Sequence, residues 1–330
     1  MSYRIARGFL VIDNKSPDGD TIAFAMDEEH RGEWVWPYEE TGRFPKFNRQ
    51  FQANIRFEAI DALELHYEIP DVYPVVKTHQ PLDLAREARD RMLRICGFDL
   101  TRVTENADLT LNDPDKQKKP ATIAYREIDP YGRLVAFVFV EDMGFKVDGS
   151  HPTVFLEPEQ MERSVNVQLL REGLAYPTFY GSLYPELRGP LVEIVRQARE
   201  NRLGLWKRDI MEFTSSRKPG LPEVEDIVIM PKIFRRLSMH IACNGALSNF
   251  KEYLGEVNDL TVDTRQVRLT GFESFIAVDS DGPGQYTMNL LRIRNNWFFR
   301  RLKLSELTGN NHEKLCGQDK GFKSFSGRAW

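Results

Sequence analysis

The chain has 330 residues, of which 41% are hydrophobic and 28% charged, and its net charge is −4. That is the composition of an ordinary globular protein, and the mild acidity argues against a dedicated nucleic-acid binder. Cys96, Cys243 and Cys316 are far apart and form no CxxC pair, so neither a disulfide framework nor a thiolate zinc site is indicated. No run of 18 apolar residues occurs and the first twenty residues carry no signal-peptide pattern. No membrane span is therefore expected, and the expected location is cytoplasmic.

In chain order, residues 3–12 read as a strand, 20–27 as a second and 53–60 as a third. Between the last two lies a stretch rich in aromatics, charge, Pro and Gly, which reads as an elaborated hairpin tip. Its Trp34, Trp36, Tyr38, Phe44, Phe47 and Phe51 either form a small core or stack on bases. Residues 81–96 form a helix, with Asp83 in its first turn and Leu84, Ala88, Met92 and Ile95 at helical spacing. Residues 121–140 read as a hairpin around the turn Asp129-Pro130-Tyr131-Gly132. A helix follows from Glu159 to Glu172, closed by Gly173, and another over 186–206, ending near Gly204.

The stretch TSSRKPGLPE (214–223) has the composition of a linker, dividing the chain into 1–210 and 221–330. Beyond it, PKIFRRLSMHIA and LSNFKEYLG are helical in pattern, and three strand-like runs with a DGPG turn complete a small α+β domain. Charge is uneven. Residues 1–210 carry 28 basic against 35 acidic side chains, a net of −7, whereas 211–330 carry 17 against 14, a net of +3. RIRNNWFFRRLK (292–303) interleaves basic and aromatic residues, as single-strand binders do and as an amphipathic closing element also does.

Three separated pieces carry chemistry. They are Asp20 in DGDT, the run Arg56, Asp61 and Glu64 in an apolar context, and Arg133 just after the YG turn. Any one alone reads as a turn residue, a solvated acid or a surface arginine. Together they form an all-oxygen acid set with planar guanidinium groups. Such a set suits a hard cation and a phosphate. The six histidines make no HxH or HExxH pattern and are not expected to be ligands.

The order DGDT, R-x-x-x-x-D-x-x-E, YGR, LLREGLAY and LGLW, spanning residues 3–208, resembles the staphylococcal nuclease (thermonuclease) family. The resemblance implies an OB-fold five-stranded β-barrel with packed helices. It also implies calcium-dependent hydrolysis of DNA or RNA that leaves 3′-phosphate ends. Asp20, Asp61 and the carbonyl of Ala62 match its calcium ligands, and Glu64 matches the acid that orients or deprotonates water. Arg56 and Arg133 match its phosphate-binding arginines, and Tyr131 a tyrosine lying along the nucleotide. The chain departs from the family in having Leu63 where a proline is usual, Glu58 at an apolar position and Pro130 in place of a lysine. The alternative is an OB module that binds nucleic acid or a protein partner without cleaving. The C-terminal region lies outside the resemblance and is expected to engage a partner or the substrate.

Overall fold

The computed structural model describes residues 2–27, 43–145, 153–180, 183–210, 212–256, 260–263, 268–271, 276–282, 284–290 and 298–299. Trp34, Trp36, Tyr38, His30, His151, His312 and nearly all of 292–303 lie outside these residues.

The N-terminal half is a closed five-stranded mixed barrel. β1 (Tyr3–Val11) pairs antiparallel with β2 (Thr21–Met26), which pairs antiparallel with β3 (Gln52–Phe57). The chain then leaves the barrel through β4 (Ile60–Ala62), the small ribbon β5 (Tyr67–Ile69) and β6 (Val76–Thr78), and helix α1 (Leu82–Ile95). A short ribbon, β7 (Thr104–Glu105) and β8 (Leu111–Asn112), leads back to β9 (Lys118–Ile128) and β10 (Leu134–Phe139). β9 pairs with both β10 and β1, and β10 lies parallel to β3, so the sheet closes on itself. Closure gives each of these five strands a barrel neighbour on both sides and makes a two-sided wall around one core. This is the OB-type architecture that the resemblance implies.

The apolar periodicity explains what fills the barrel. Ile5, Leu10, Ile22, Phe24, Ile55, Phe57, Ile123, Phe137 and Phe139 are all buried. β11 (Thr153–Val154) adds to the β1 edge, and helices α2 (Pro158–Met161), α3 (Val165–Arg171) and α4 (Pro185–Glu200) pack nearby, with β12 (Ala175–Pro177) pairing to β4. Two predicted elements are modified. The single helix over 159–172 is divided, because the Ser164 side chain accepts the Val167 N–H at 3.3 Å and starts a new helix. The helix predicted to Gly204 stops at Glu200, and a short 3-10 turn, Gly204–Lys207, follows.

The third strand is also interrupted. After Phe57 the backbone turns at Ala59, whose φ is +68°. The buried Asn166 side chain repairs the break. Its amide donates to the carbonyls of Glu58 (2.9 Å) and Ala136 (3.0 Å), and its oxygen accepts from Val138 N–H (3.0 Å). Glu58 is fully buried and lies within electrostatic reach of Arg188.

Beyond Lys207 the chain continues into β13 (Glu212–Ser216), α5 (Leu221–Glu225), α6 (Pro231–Ala242) and α7 (Phe250–Glu256). The strands β14 (Leu260–Asp263), β15 (Arg268–Gly271), β16 (Ala277–Gly282), β17 (Gln285–Asn289) and β18 (Phe298–Phe299) follow. The linker-like TSSRKPGLPE thus begins within a strand that pairs with β17 and ends in a helix. Alternate burial of Phe213 and Ser215 shows why: the stretch keeps a period of two despite its polar composition. Val224, Ile229, Ile233, Phe234 and Leu237 are buried in the same continuous core as the barrel residues. Cys96 is a free buried thiol. Cys243 is disulfide-bonded, which the cysteine spacing gave no reason to expect.

Candidate active site

The turn before β2 settles what its two acids do. Asp18 shapes the turn: its carboxylate accepts the Asp20 N–H at 3.2 Å, and its own N–H donates to the Thr21 carbonyl at 3.3 Å. Asp20 points the other way. Gly19 is required between them because a Cβ there would stand 2.6 Å from the Ala62 Cβ and 2.9 Å from the Ala88 Cβ. The turn is therefore pressed against β4 and α1, and Asp20 Oδ2 accepts the Ala62 N–H at 2.7 Å. The Phe57 N–H donates to the Asp20 carbonyl at 2.8 Å, which fixes the turn to the end of β3.

On that frame the predicted residues converge. Arg56, at the end of β3, places Nη1 on Asp20 Oδ2 and Nη2 on Asp61 Oδ1, the latter at 2.6 Å. Asp61, on β4, is fully buried, and Glu64 lies just beyond it. Gln80 holds the Glu64 backbone, accepting its N–H at 3.2 Å. Arg133 reaches the cluster from the β9–β10 turn. Its Nη1 is 3.5 Å from Thr21 Oγ1, and that hydroxyl donates to Asp20 Oδ1 at 3.1 Å. Tyr131 is 73% exposed at the rim, with the Arg133 guanidinium 5.5 Å from its ring centroid. Ala62 enters the site through its N–H.

Three features escaped the sequence reading. The buried Asp129 carboxylate grips Arg133, accepting its Nε at 2.7 Å and the backbone N–H groups of Tyr131 and Arg133 at 2.9 Å each. Gly132, at φ +81°, permits this tight turn and leaves no room for a Cβ against Lys46. Tyr180 lies close enough to Arg56 and Arg235 to interact electrostatically with both. The third feature is Arg235, from α6. Its Nη2 is 3.1 Å from Asp61 Oδ2, and its Nη1 forms an ion pair with Glu64 Oε1. Arg235 comes from an amphipathic helix 171 residues away, and no local pattern names its partners.

Burial dominates the electrostatics. It raises the Glu64 carboxyl above the usual carboxylate range, and Arg235 opposes that shift. Burial also works against the charge on Arg56 and on Arg235, but the acids outweigh it and hold both guanidinium groups protonated. Burial pushes the neighbouring Tyr67 phenol up to about 12.

The acids were expected to hold calcium. Their chemistry suits a hard cation, and in this conformation most of their oxygens are already engaged by other partners. Asp20 Oδ2, both Asp61 oxygens and Glu64 Oε1 are given to guanidinium nitrogens or a backbone N–H. Among the described residues, no group of three or more His, Cys, Asp and Glu side chains is placed to hold a metal ion. The described histidines are tied to backbone: His66 Nε2 to Ser16 O (3.1 Å), His79 Nδ1 to Gln80 O (3.0 Å) and His240 Nε2 to Ala246 O (2.9 Å). A cleft of about 590 Å³ lined in part by Lys15, Lys116 and Lys118 shares no residue with the cluster. No helix among the described residues is long and apolar enough to cross a membrane.

Comparison with known proteins bears on the fold. No curated protein matches the chain. Residues 101–208 match the family model described as staphylococcal nuclease homologue. The match includes Tyr131 and Arg133 but begins after Asp20, Arg56, Asp61 and Glu64. The matched span and the closed five-stranded barrel together show that this chain contains an SNase-like OB-fold domain.

Proposed function

We propose that the chain is a nuclease that hydrolyses phosphodiester bonds of DNA or RNA, leaving 3′-phosphate ends. The observation that carries this reading is one continuous network of hydrogen bonds and ion pairs joining Arg133, Thr21, Asp20, Arg56 and Asp61, and through Arg235 also Glu64. Hydrolysis of a phosphodiester needs an oriented water and donors for the charge that builds on phosphate. Glu64, an acid whose affinity for protons is raised by burial, is suited to orient the water or take its proton. Arg133, with its Nε gripped by Asp129, is the guanidinium turned toward the rim, where Tyr131 lines the path of a nucleotide. Arg56 is committed to Asp20 and Asp61 and meets phosphate only if one of those bonds is exchanged.

Calcium dependence, with Asp20, Asp61 and Ala62 as ligands, belongs to the same proposal, and it requires the acids to be freed first. A second reading is favoured by Arg235 lying across Asp61 and Glu64: an OB module that binds nucleic acid or a protein partner without cleaving. Incubating the purified chain with single-stranded DNA, duplex DNA and RNA, in calcium or in chelator, separates the two. We expect cleavage in calcium and none in chelator. Binding without cleavage under every condition, including after substitution of Arg235, establishes the second reading.

A further inference from the structure

We infer that Arg235 is a tethered occupant of the cation position in this site, so that helix α6 closes the acid cluster against calcium until the arginine side chain withdraws. For its effect on cleavage the inference rests on the nuclease reading; for calcium binding it stands alone.

The geometry first identifies which positive charge is the intruder. Arg56 lies on the barrel strand beside the acids and bridges Asp20 to Asp61. Arg235 comes from outside the barrel and bridges Asp61 to Glu64, approaching Asp61 Oδ2, the oxygen that Arg56 leaves free. The cluster holds three carboxylates, so Arg56 alone leaves two uncompensated negative charges in a buried site. Arg235 removes one of them, and a divalent cation in its place would remove both. A guanidinium and calcium therefore compete for the same oxygens, and the guanidinium has the advantage of being covalently held nearby.

The helix that delivers it is anchored independently of it. Ile233, Phe234 and Leu237 are buried, and the Phe234 ring meets Tyr67 edge-on at 6.4 Å between centroids. Gln80 joins the two partners, accepting the Glu64 N–H and donating to the Ile229 carbonyl at 2.8 Å. Thr78 Oγ1 donates to Glu225 at 2.7 Å. By contrast the Arg235 side chain is 27% exposed. Rotation of that side chain toward solvent opens the acids without moving α6, which a fully buried arginine would not allow. Calcium affinity is then reduced by the fraction of time the gate is open, so a tenfold preference for the closed state weakens apparent affinity about tenfold.

The test uses the full chain without nucleic acid. Calcium chloride is titrated calorimetrically into the native protein, Arg235→Gln, Arg235→Lys, and Arg235→Gln combined with Asp61→Asn. We expect Arg235→Gln to bind calcium at least tenfold more tightly than the native protein. Arg235→Lys should fall between them, because a single ammonium cannot span two carboxylates as a planar fork does. Adding Asp61→Asn should abolish the gain. If Arg235→Gln does not fold, Arg235→Lys against the native protein decides the matter. Equal calcium affinity in the native and substituted proteins overturns the inference and makes Arg235 a structural ion pair. Tighter calcium binding without cleavage leaves the inference standing and removes the nuclease reading. Calcium-dependent cleavage with unchanged calcium affinity does the reverse.

Discussion

Arg133 is fixed at one end of its guanidinium and open at the other. Asp129 takes its Nε, and Nη1 is left near Thr21 at the rim of the site. Losing a donor placed for a developing phosphate charge costs about 3–4 kcal/mol of barrier, or roughly a hundred- to a thousandfold in rate. We expect Arg133→Ala to lower cleavage on that scale with a small change in Tm, since Asp129 keeps its two backbone N–H partners. Parallel kinetics and melting curves check this, and an unchanged rate removes Arg133 from the reaction. Asp129→Asn should reproduce part of the loss in kcat by releasing the arginine. The residues legible in the sequence were those in tight local patterns, Asp20 in DGDT, Asp61 and Glu64 three apart, and Arg133 after YG. Asp129 was read only as a turn former, because its second task, holding Arg133 four residues on, leaves no separate mark. Arg235 was invisible as a site residue, since an arginine on an amphipathic helix is ordinarily a solvated one.

At the scale of elements, periodicity located the five barrel strands, but the break between β3 and β4 had no sequence signal. A turn at Ala59 removes ladder bonds, and a buried backbone group without a partner costs about 1–3 kcal/mol. Asn166, inside a helix where asparagine is otherwise a poor choice, supplies partners to the Glu58 carbonyl and the Val138 N–H and a second donor to the Ala136 carbonyl, which also accepts the Glu58 N–H. We expect Asn166→Leu to destabilise the protein by about 3 kcal/mol or more, read as a lower denaturant midpoint in urea with little change in slope. A shift below about 1 kcal/mol would show that water or a backbone adjustment replaces the amide. The divided helix at Ser164 teaches the same point: a serine mid-pattern looks neutral until its hydroxyl caps a new turn.

For the whole molecule, a division at residue 210 remains a proposal. The two sides touch through Tyr67 and Phe234, Gln80 and Ile229, Thr78 and Glu225, and a backbone hydrogen bond from Ile210 to Val228. We expect a chain ending at residue 210 to keep the barrel but melt at a lower temperature, because these partners are gone and the buried face beneath α6 is exposed. It also loses the part carrying a net charge of +3 and keeps the part carrying −7. Its attraction for a polyanion should weaken, with a shallower dependence on salt. Binding assays across a salt series check this, and an identical slope points instead to a protein partner for the C-terminal part.

The 171 residues between Glu64 and Arg235 also have a meaning in time. A ribosome adding about 5–20 residues per second takes roughly 9–35 seconds to cover that distance. Throughout that interval Asp61 and Glu64 have been made and the arginine that covers them has not. On the gate proposed above, the growing chain carries uncovered acids and acquires its restraint only after the barrel has been made. A mutation or early stop that spares the barrel but loses α6 would then produce an ungoverned protein rather than an inert one.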